Sequence, residues 1–139
     1  MTNPFRPGDQ QTHRYTVVPA DFAAFEAGGG LVHPVLSTFA LAREMEWAGR
    51  LFVLQMREAG EEGIGTMLQV QHHAPAFAGE TVLLTATFAS LAGRELTCIV
   101  EARVGERLVA TGRTGQRIVN KQKLEARFAE LRTVTPRLN

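Results

Sequence analysis

At 139 residues, 45% of them hydrophobic and 21% charged, the chain has the size and composition of one globular domain, not of a disordered, collagenous or coiled-coil polymer. Fifteen basic residues against 14 acidic ones leave a formal charge of +1, too little field to grip a phosphate backbone, so no nucleic-acid partner is expected. The single cysteine, Cys98, excludes an internal disulfide and a paired-cysteine zinc site and suits a reducing compartment.

Residues 1–11 hold two prolines, one glycine and two glutamines and read as a flexible lead-in. The start lacks the apolar stretch of a secretion signal, and Arg43, Glu44, Glu46 and Arg50 interrupt the most hydrophobic region well short of a membrane span. A cytoplasmic protein without a membrane partner is expected. Residues 12–132 read as a single domain and 133–139 as a C-terminal tail.

His13 to Val18 favours a short strand that Pro19 stops. Asp21 to Glu26 suits one helical turn, and Gly28-Gly29-Gly30 is a hinge rather than a phosphate loop, because no glycine-lysine-serine or glycine-lysine-threonine follows it. From Leu36 to Ala59 the spacing predicts one long helix, with Ser37 or Thr38 placed to cap it and Gly60 after it. Apolar residues from Phe39 to Met56, Trp47 among them, cover most of its circumference, so it needs to be enclosed.

From Gly63 to Val119 the period drops to two. Strands are expected over 65–74, 81–90, 94–104 and 107–119, joined by short antiparallel connections. Lys121 to Arg132 closes the chain as an amphipathic helix carrying Leu124, Phe128 and Leu131 on one side. The order implies an α+β domain, an antiparallel sheet wrapped around one long central helix. So few strands seldom cover so apolar a helix, which implies that two chains pair and share one extended sheet.

Three polar residues stand out. Glu46 lies between Met45 and Trp47, where a carboxylate is costly unless paired or used. On a helical wheel Arg43, Glu46, Arg50 and Arg57 share one arc, and periodicity alone leans toward an ordinary i, i+4 ion pair of Glu46 with Arg50. His72 alternates with Thr66, Leu68 and Val70 on one strand face, expected to point inward, while His73 points to solvent. Thr38 lies eight residues before Glu46 and reads either as a cap or as a second group for one pocket. A metal site between His33 and His72 is the alternative for these two rings, but no carboxylate or cysteine spacing supports it, and no metal is expected. Cys98 sits in the alternation Leu96, Cys98, Val100, Ala102 and reads as core packing, not as a nucleophile.

The run from Leu36 to Ala48 with its Met45-Glu46-Trp47 triplet, followed by Gly65 to His72 and then Pro75 and Gly79, resembles the fluoroacetyl-CoA thioesterase family. The resemblance spans about His13 to Val119. It implies the hotdog fold and hydrolysis of an acyl-CoA thioester to free acid and CoA, with no cofactor beyond the CoA of the substrate. It implies a catalytic group of Thr38, Glu46 and His72 at the interface of a homodimer or of a tetramer built from it. It also implies Gly65, Val32 and His33 as substrate-binding positions, with a Gly65 backbone N–H beside the thioester oxygen. Where the fluoroacetate-hydrolysing member has a lid phenylalanine linked to fluorine selectivity, this chain has Val32, which implies a different short or medium acyl group. A hotdog hydratase would carry an aspartate and a histidine five residues apart, a pair that neither Asp9 nor Asp21 makes. A non-catalytic acyl-CoA sensor is the remaining alternative, and the tail is too short for a separate output segment.

Overall fold

The structure, a computed structural model, describes residues 1–134, so the end of the expected tail, residues 135–139, lies outside the described residues. In chain order it contains β1 (Gln10–Thr16), β2 (Phe22–Phe25), β3 (Gly30–Leu36), α1 (Thr38–Met56), β4 (Glu61–His72), β5 (Thr81–Ala92), β6 (Glu95–Val104), β7 (Arg107–Asn120) and α2 (Lys121–Val134). Five strands form an antiparallel sheet in the order β1-β5-β6-β7-β4, and α1 packs across one face of it. This is the hotdog arrangement of a sheet around one long helix.

Alternation builds the core. Val82, Leu84, Ala86 and Phe88 on β5 and Leu96, Cys98, Val100 and Ala102 on β6 all face α1 and are buried. From the helix, Leu41, Met45, Ala48, Phe52, Val53 and Met56 meet them. Phe52 is fully buried and sits edge-on to Phe88 with ring centroids 5.8 Å apart, a burial that contributes about 1.5–3 kcal/mol. Burial pushes the Cys98 thiol up to about 12, far from a reactive thiolate, with the Thr114 hydroxyl opposing that rise.

Several expectations change in three dimensions. The lead-in makes specific contacts while residues 2–4 and 6–9 stay exposed: the Thr2 N–H donates to the Met56 carbonyl at 2.8 Å, and the Phe5 ring stands edge-on to Phe52 at 4.8 Å. The segment expected as a helical turn is a hairpin, with Asp21 ending a short 3-10 turn and β2 pairing with β3 in a separate two-stranded sheet. Gly29 and Gly30, at φ 88° and 100°, make its turn, a backbone region that favours glycine. Pro34 is tolerated inside β3 because, among the described residues, β3 pairs with β2 alone and its other side bonds no strand. The C-terminal helix forms, but none of its residues is buried, and Phe128 and Leu131 stay exposed. Among the described residues no helix is long and apolar enough to cross a membrane.

Candidate active site

The start of α1 settles the two roles open to its first polar residues. The Ser37 hydroxyl accepts from the Ala40 N–H at 3.0 Å and so caps the helix. The Thr38 hydroxyl is thereby spared for another partner, His72 Nδ1, 3.0 Å away at the end of β4. The other ring nitrogen, Nε2, is buried and has no hydrogen-bond partner among the described residues. An orphaned buried polar atom of this kind costs free energy unless a missing partner completes it.

Glu46 sits two turns further along α1, on an exposed side of the helix that meets the sheet of its own chain only at its rim, beside Gly65. Phe39 is 83% exposed and Trp47 41% exposed on that side, so the helix is enclosed on one flank only. The expected ion pair with Arg50 is absent: Arg50 turns instead to Glu62 at 2.9 Å, which also takes Arg57. Among the described residues the Glu46 carboxylate makes no ion pair and no side-chain hydrogen bond. It is exposed rather than buried, and it faces a cavity of about 470 Å³ lined also by His13, Arg43, Trp47, Gly65 and Gln116.

Gly65 is where the strand comes closest. A Cβ built on it would lie 2.5 Å from Glu46 Oε1, and one on the preceding inward position, Gly63, would lie 2.7 Å from Val53 Cγ1. Simple alternation places Thr66 on the inward face with Leu68, Val70 and His72, but a β-bulge breaks the register between Gly65 and Met67. Gly65 pairs with Gln116 and Met67 with Gly115, so Thr66 is the extra residue and points away from the helix. Gly63, Gly65, Leu68, Val70 and His72 then share the helix face. The inward reading of His72 holds, and that of Thr66 does not.

Two residues of this site carried no earlier expectation. Gln116 is 3% exposed and its Nε2 donates to the Glu46 carbonyl at 3.4 Å. Its signal was legible, a polar residue on the apolar face of β7 beside Thr114 and Ile118. His13 Nε2 lies 3.2 Å from Glu44 Oε1 and its ring is edge-on to Trp47, a link between β1 and α1 that no local pattern announces. Asp21, buried at the foot of the hairpin, accepts from Tyr15 and, at 3.2 Å, from Arg43.

Within one chain the expected residues do not all meet. Thr38 and His72 touch, and Glu46 lies against Gly65, but eight helical residues, about 12 Å of axial rise, separate Thr38 from Glu46. Val32 and His33 stand exposed on the hairpin, and neither lines the cavity beside Glu46. The strand next to both halves of the site, β4, is an edge of the sheet, with Met67 and Leu68 exposed.

A family model described as fluoroacetyl-CoA-specific thioesterase (FlK) matches residues 17–122, three-quarters of the chain. The fluoroacetyl-CoA thioesterase of Streptantibioticus cattleyicolor is 29% identical over 94% of this chain and 96% of its own length. A solved structure of the fluoroacetyl-CoA thioesterase FlK superposes with a TM-score of 0.81 at 28% identity, covering 95% of this chain and 98% of that one. A thioesterase superfamily member from Thermus thermophilus superposes with a TM-score of 0.89 at 35% identity, covering 95% of this chain and 96% of that one. With the matched fold and the matched length taken together, this chain belongs to the fluoroacetyl-CoA-specific thioesterase family and is a thioester hydrolase of the hotdog fold.

Proposed function

We propose that the protein hydrolyses an acyl-CoA thioester to the free acid and CoA, with Glu46, Thr38 and His72 as its catalytic group. The observation that carries this reading is the Thr38–His72 contact of 3.0 Å, which orients the imidazole and leaves its buried Nε2 without a partner. Hydrolysis breaks the C–S bond and forms a C–O bond to water. Glu46 either attacks the acyl carbon, giving an anhydride that water then opens, or takes the proton of the attacking water. In both routes His72 passes a proton to the departing thiolate of CoA, and a backbone N–H at Gly65 holds the developing oxyanion. After a single turnover in isotopically labelled water, label on Glu46 marks an anhydride opened at the Glu46 carbonyl, and trapping of the acyl-enzyme with hydroxylamine detects the anhydride whichever carbonyl water attacks. The reaction needs no cofactor beyond the CoA of the substrate. Support for a CoA ester comes from a 28% identical relative, a mutant of the fluoroacetyl-CoA-specific thioesterase whose structure holds fluoroacetate and CoA.

The working form in this reading is a homodimer, alone or within a tetramer. An edge strand with exposed Met67 and Leu68 invites pairing with a second copy. Antiparallel self-pairing of β4 about Gln69, with the bulged Thr66 skipped, sets Gly65 and Glu46 of one protomer beside the partner's His72. That supplies the missing partner of Nε2 and closes the separation found within one chain. Phe39 then packs against the second protomer.

Substrate choice in this reading is set by the hairpin. Val32 stands where the fluoroacetate-hydrolysing member has a phenylalanine, so a short or medium acyl group other than fluoroacetyl is the substrate, contacted by Val32 and His33. A reducing cytoplasm is its compartment, in keeping with one buried free thiol.

Thiol release from a panel of acyl-CoA esters by the wild type, Glu46→Gln and His72→Ala tests the proposal. Loss of turnover in both variants is expected. Unchanged turnover in both would remove the site, and tight acyl-CoA binding without turnover by the wild type would favour the non-catalytic binder. A sizing column reads the dimer directly.

A further inference from the structure

The β-bulge that brings Gly65 to Glu46 is held from the far side of the sheet. Thr114 and Gln116 of β7 are buried against the helix, so Gly115 between them faces outward. Arg117 faces outward for the same reason, between Gln116 and Ile118, and it stands in register with Glu95 at the start of β6. Two β4 residues, Thr66 and Met67, share the outward space opposite Gly115. A Cβ on Gly115 would lie 3.0 Å from Thr66 Oγ1 and 3.1 Å from Met67 Cβ. The missing side chain is thus what lets two residues oppose one.

Across this gap the Thr66 hydroxyl donates to Glu95 Oε1 at 2.5 Å, a short charge-assisted bond that spans β7 to reach β6. The second carboxylate oxygen, Oε2, lies 3.7 Å from Arg117 Nε and has no hydrogen-bond partner among the described residues. The extra residue of the bulge is therefore tied to a strand two places away. Within one chain β4 is held by a single ladder, to β7, and a cross-strand tie at the bulge fixes its register there.

We infer that Thr66 and Glu95, with Gly115 leaving room for them, clamp the bulge and thereby set the position of the Gly65 backbone against the Glu46 carboxylate. They are positioning residues that act through the strand and touch no substrate. The inference rests on the reading that Glu46 and Gly65 serve the reaction. A displacement of about 1 Å at a reacting group costs on the order of a hundredfold in rate, so a clamp on the opposite face has leverage on turnover.

Thr66→Val, Thr66→Ser, Glu95→Ala and the Thr66→Val/Glu95→Ala pair are compared with Glu46→Gln in thiol release from acetyl-CoA and butanoyl-CoA, alongside thermal unfolding. Thr66→Val keeps the branched shape and strand preference but removes the donor. Thr66→Val and Glu95→Ala are each expected to lower kcat by about ten- to a hundredfold with KM little changed. The pair should lose no more than either alone, because the two residues act as one unit. Thr66→Ser, which keeps the hydroxyl, should retain wild-type kcat. Wild-type kcat in Thr66→Val beside an inactive Glu46→Gln would overturn the clamp while leaving the catalytic group standing. Wild-type turnover by Glu46→Gln would overturn both. Equal losses in Thr66→Ser and Thr66→Val, tracking a common fall in thermal midpoint, would also overturn it, by reducing the contact to general packing.

Discussion

The Glu46 carboxylate lies against the bare backbone of Gly65: a Cβ there would stand 2.5 Å from Glu46 Oε1, inside any real contact distance. Gly65 is not in a left-handed conformation, so the requirement is for space and not for backbone freedom. Alanine at this position would displace a flexible and exposed carboxylate at small cost to the fold. Gly65→Ala is therefore expected to unfold within a few degrees of the wild type while losing about ten- to a hundredfold in kcat. Steady-state thiol release together with a melting curve checks both halves of that statement.

The Thr38 hydroxyl is the only hydrogen-bond partner of the His72 ring among the described residues. Thr38→Val should leave Nδ1 of the ring unpaired and lower kcat, whereas Thr38→Ser should keep most of the activity. His72→Ala should cost more, about a hundredfold or above, the range of a lost general acid or base. Equal activity in Thr38→Val and Thr38→Ser would mean that the hydroxyl does not orient the ring.

Close packing between α1 and β7 offers a test of the fold apart from the chemistry. A Cβ on Gly49 would meet Thr114 Oγ1 at 2.4 Å and Thr114 Cβ at 3.3 Å, and Thr114 is 1% exposed with no room to retreat. Gly49→Ala should destabilise by about 1–3 kcal/mol, an overpacking cost that outweighs the gain in helix propensity. Denaturant unfolding measures it, and a midpoint equal to or above the wild type's would contradict the packing described.

An ion pair beneath the loop before β5 gives a pH signature. The Arg107 guanidinium 2.7 Å away, and then the Phe77 N–H, hold the Glu80 carboxyl below its ordinary value of 4.5. A depressed carboxyl contributes stability that is present above its ordinary pKa and is lost as pH falls through the depressed one. Arg107→Met removes the main cause. The gap in thermal midpoint between wild type and variant should therefore be widest near neutral pH and narrow once pH drops below about 4.5. A gap that stays constant from neutral to strongly acidic pH would assign the loss to the stacking of Arg107 over the Phe77 ring instead.

Local patterns carried much of this protein. Period-two alternation located β4, β5, β6 and β7 to within a few residues, because one face of each strand must be apolar to cover the helix. Capping and turn residues bounded α1, and the inward direction of His72 followed from counting along its strand. The hairpin of β2 and β3 stayed hidden, since a proline in one strand and exposed apolar residues give no clean alternation. Residue types and spacing also named Thr38, Glu46 and His72 together, through a family resemblance.

Distance and register came only from the folded chain. The count along β4 assigned Thr66 to the wrong face because a bulge is a relation between two strands, set by what Gly115 on β7 leaves open. The choice of Glu62 over Glu46 as partner of Arg50 likewise depends on where β4 begins relative to α1. Sequence alone determined which side chains this protein has to work with and the elements that carry them. Tertiary structure decided that Thr38 meets His72, that Glu46 meets Gly65, and that these two pairs stand apart in a single chain, because pairing across a sheet joins residues that no local interaction connects.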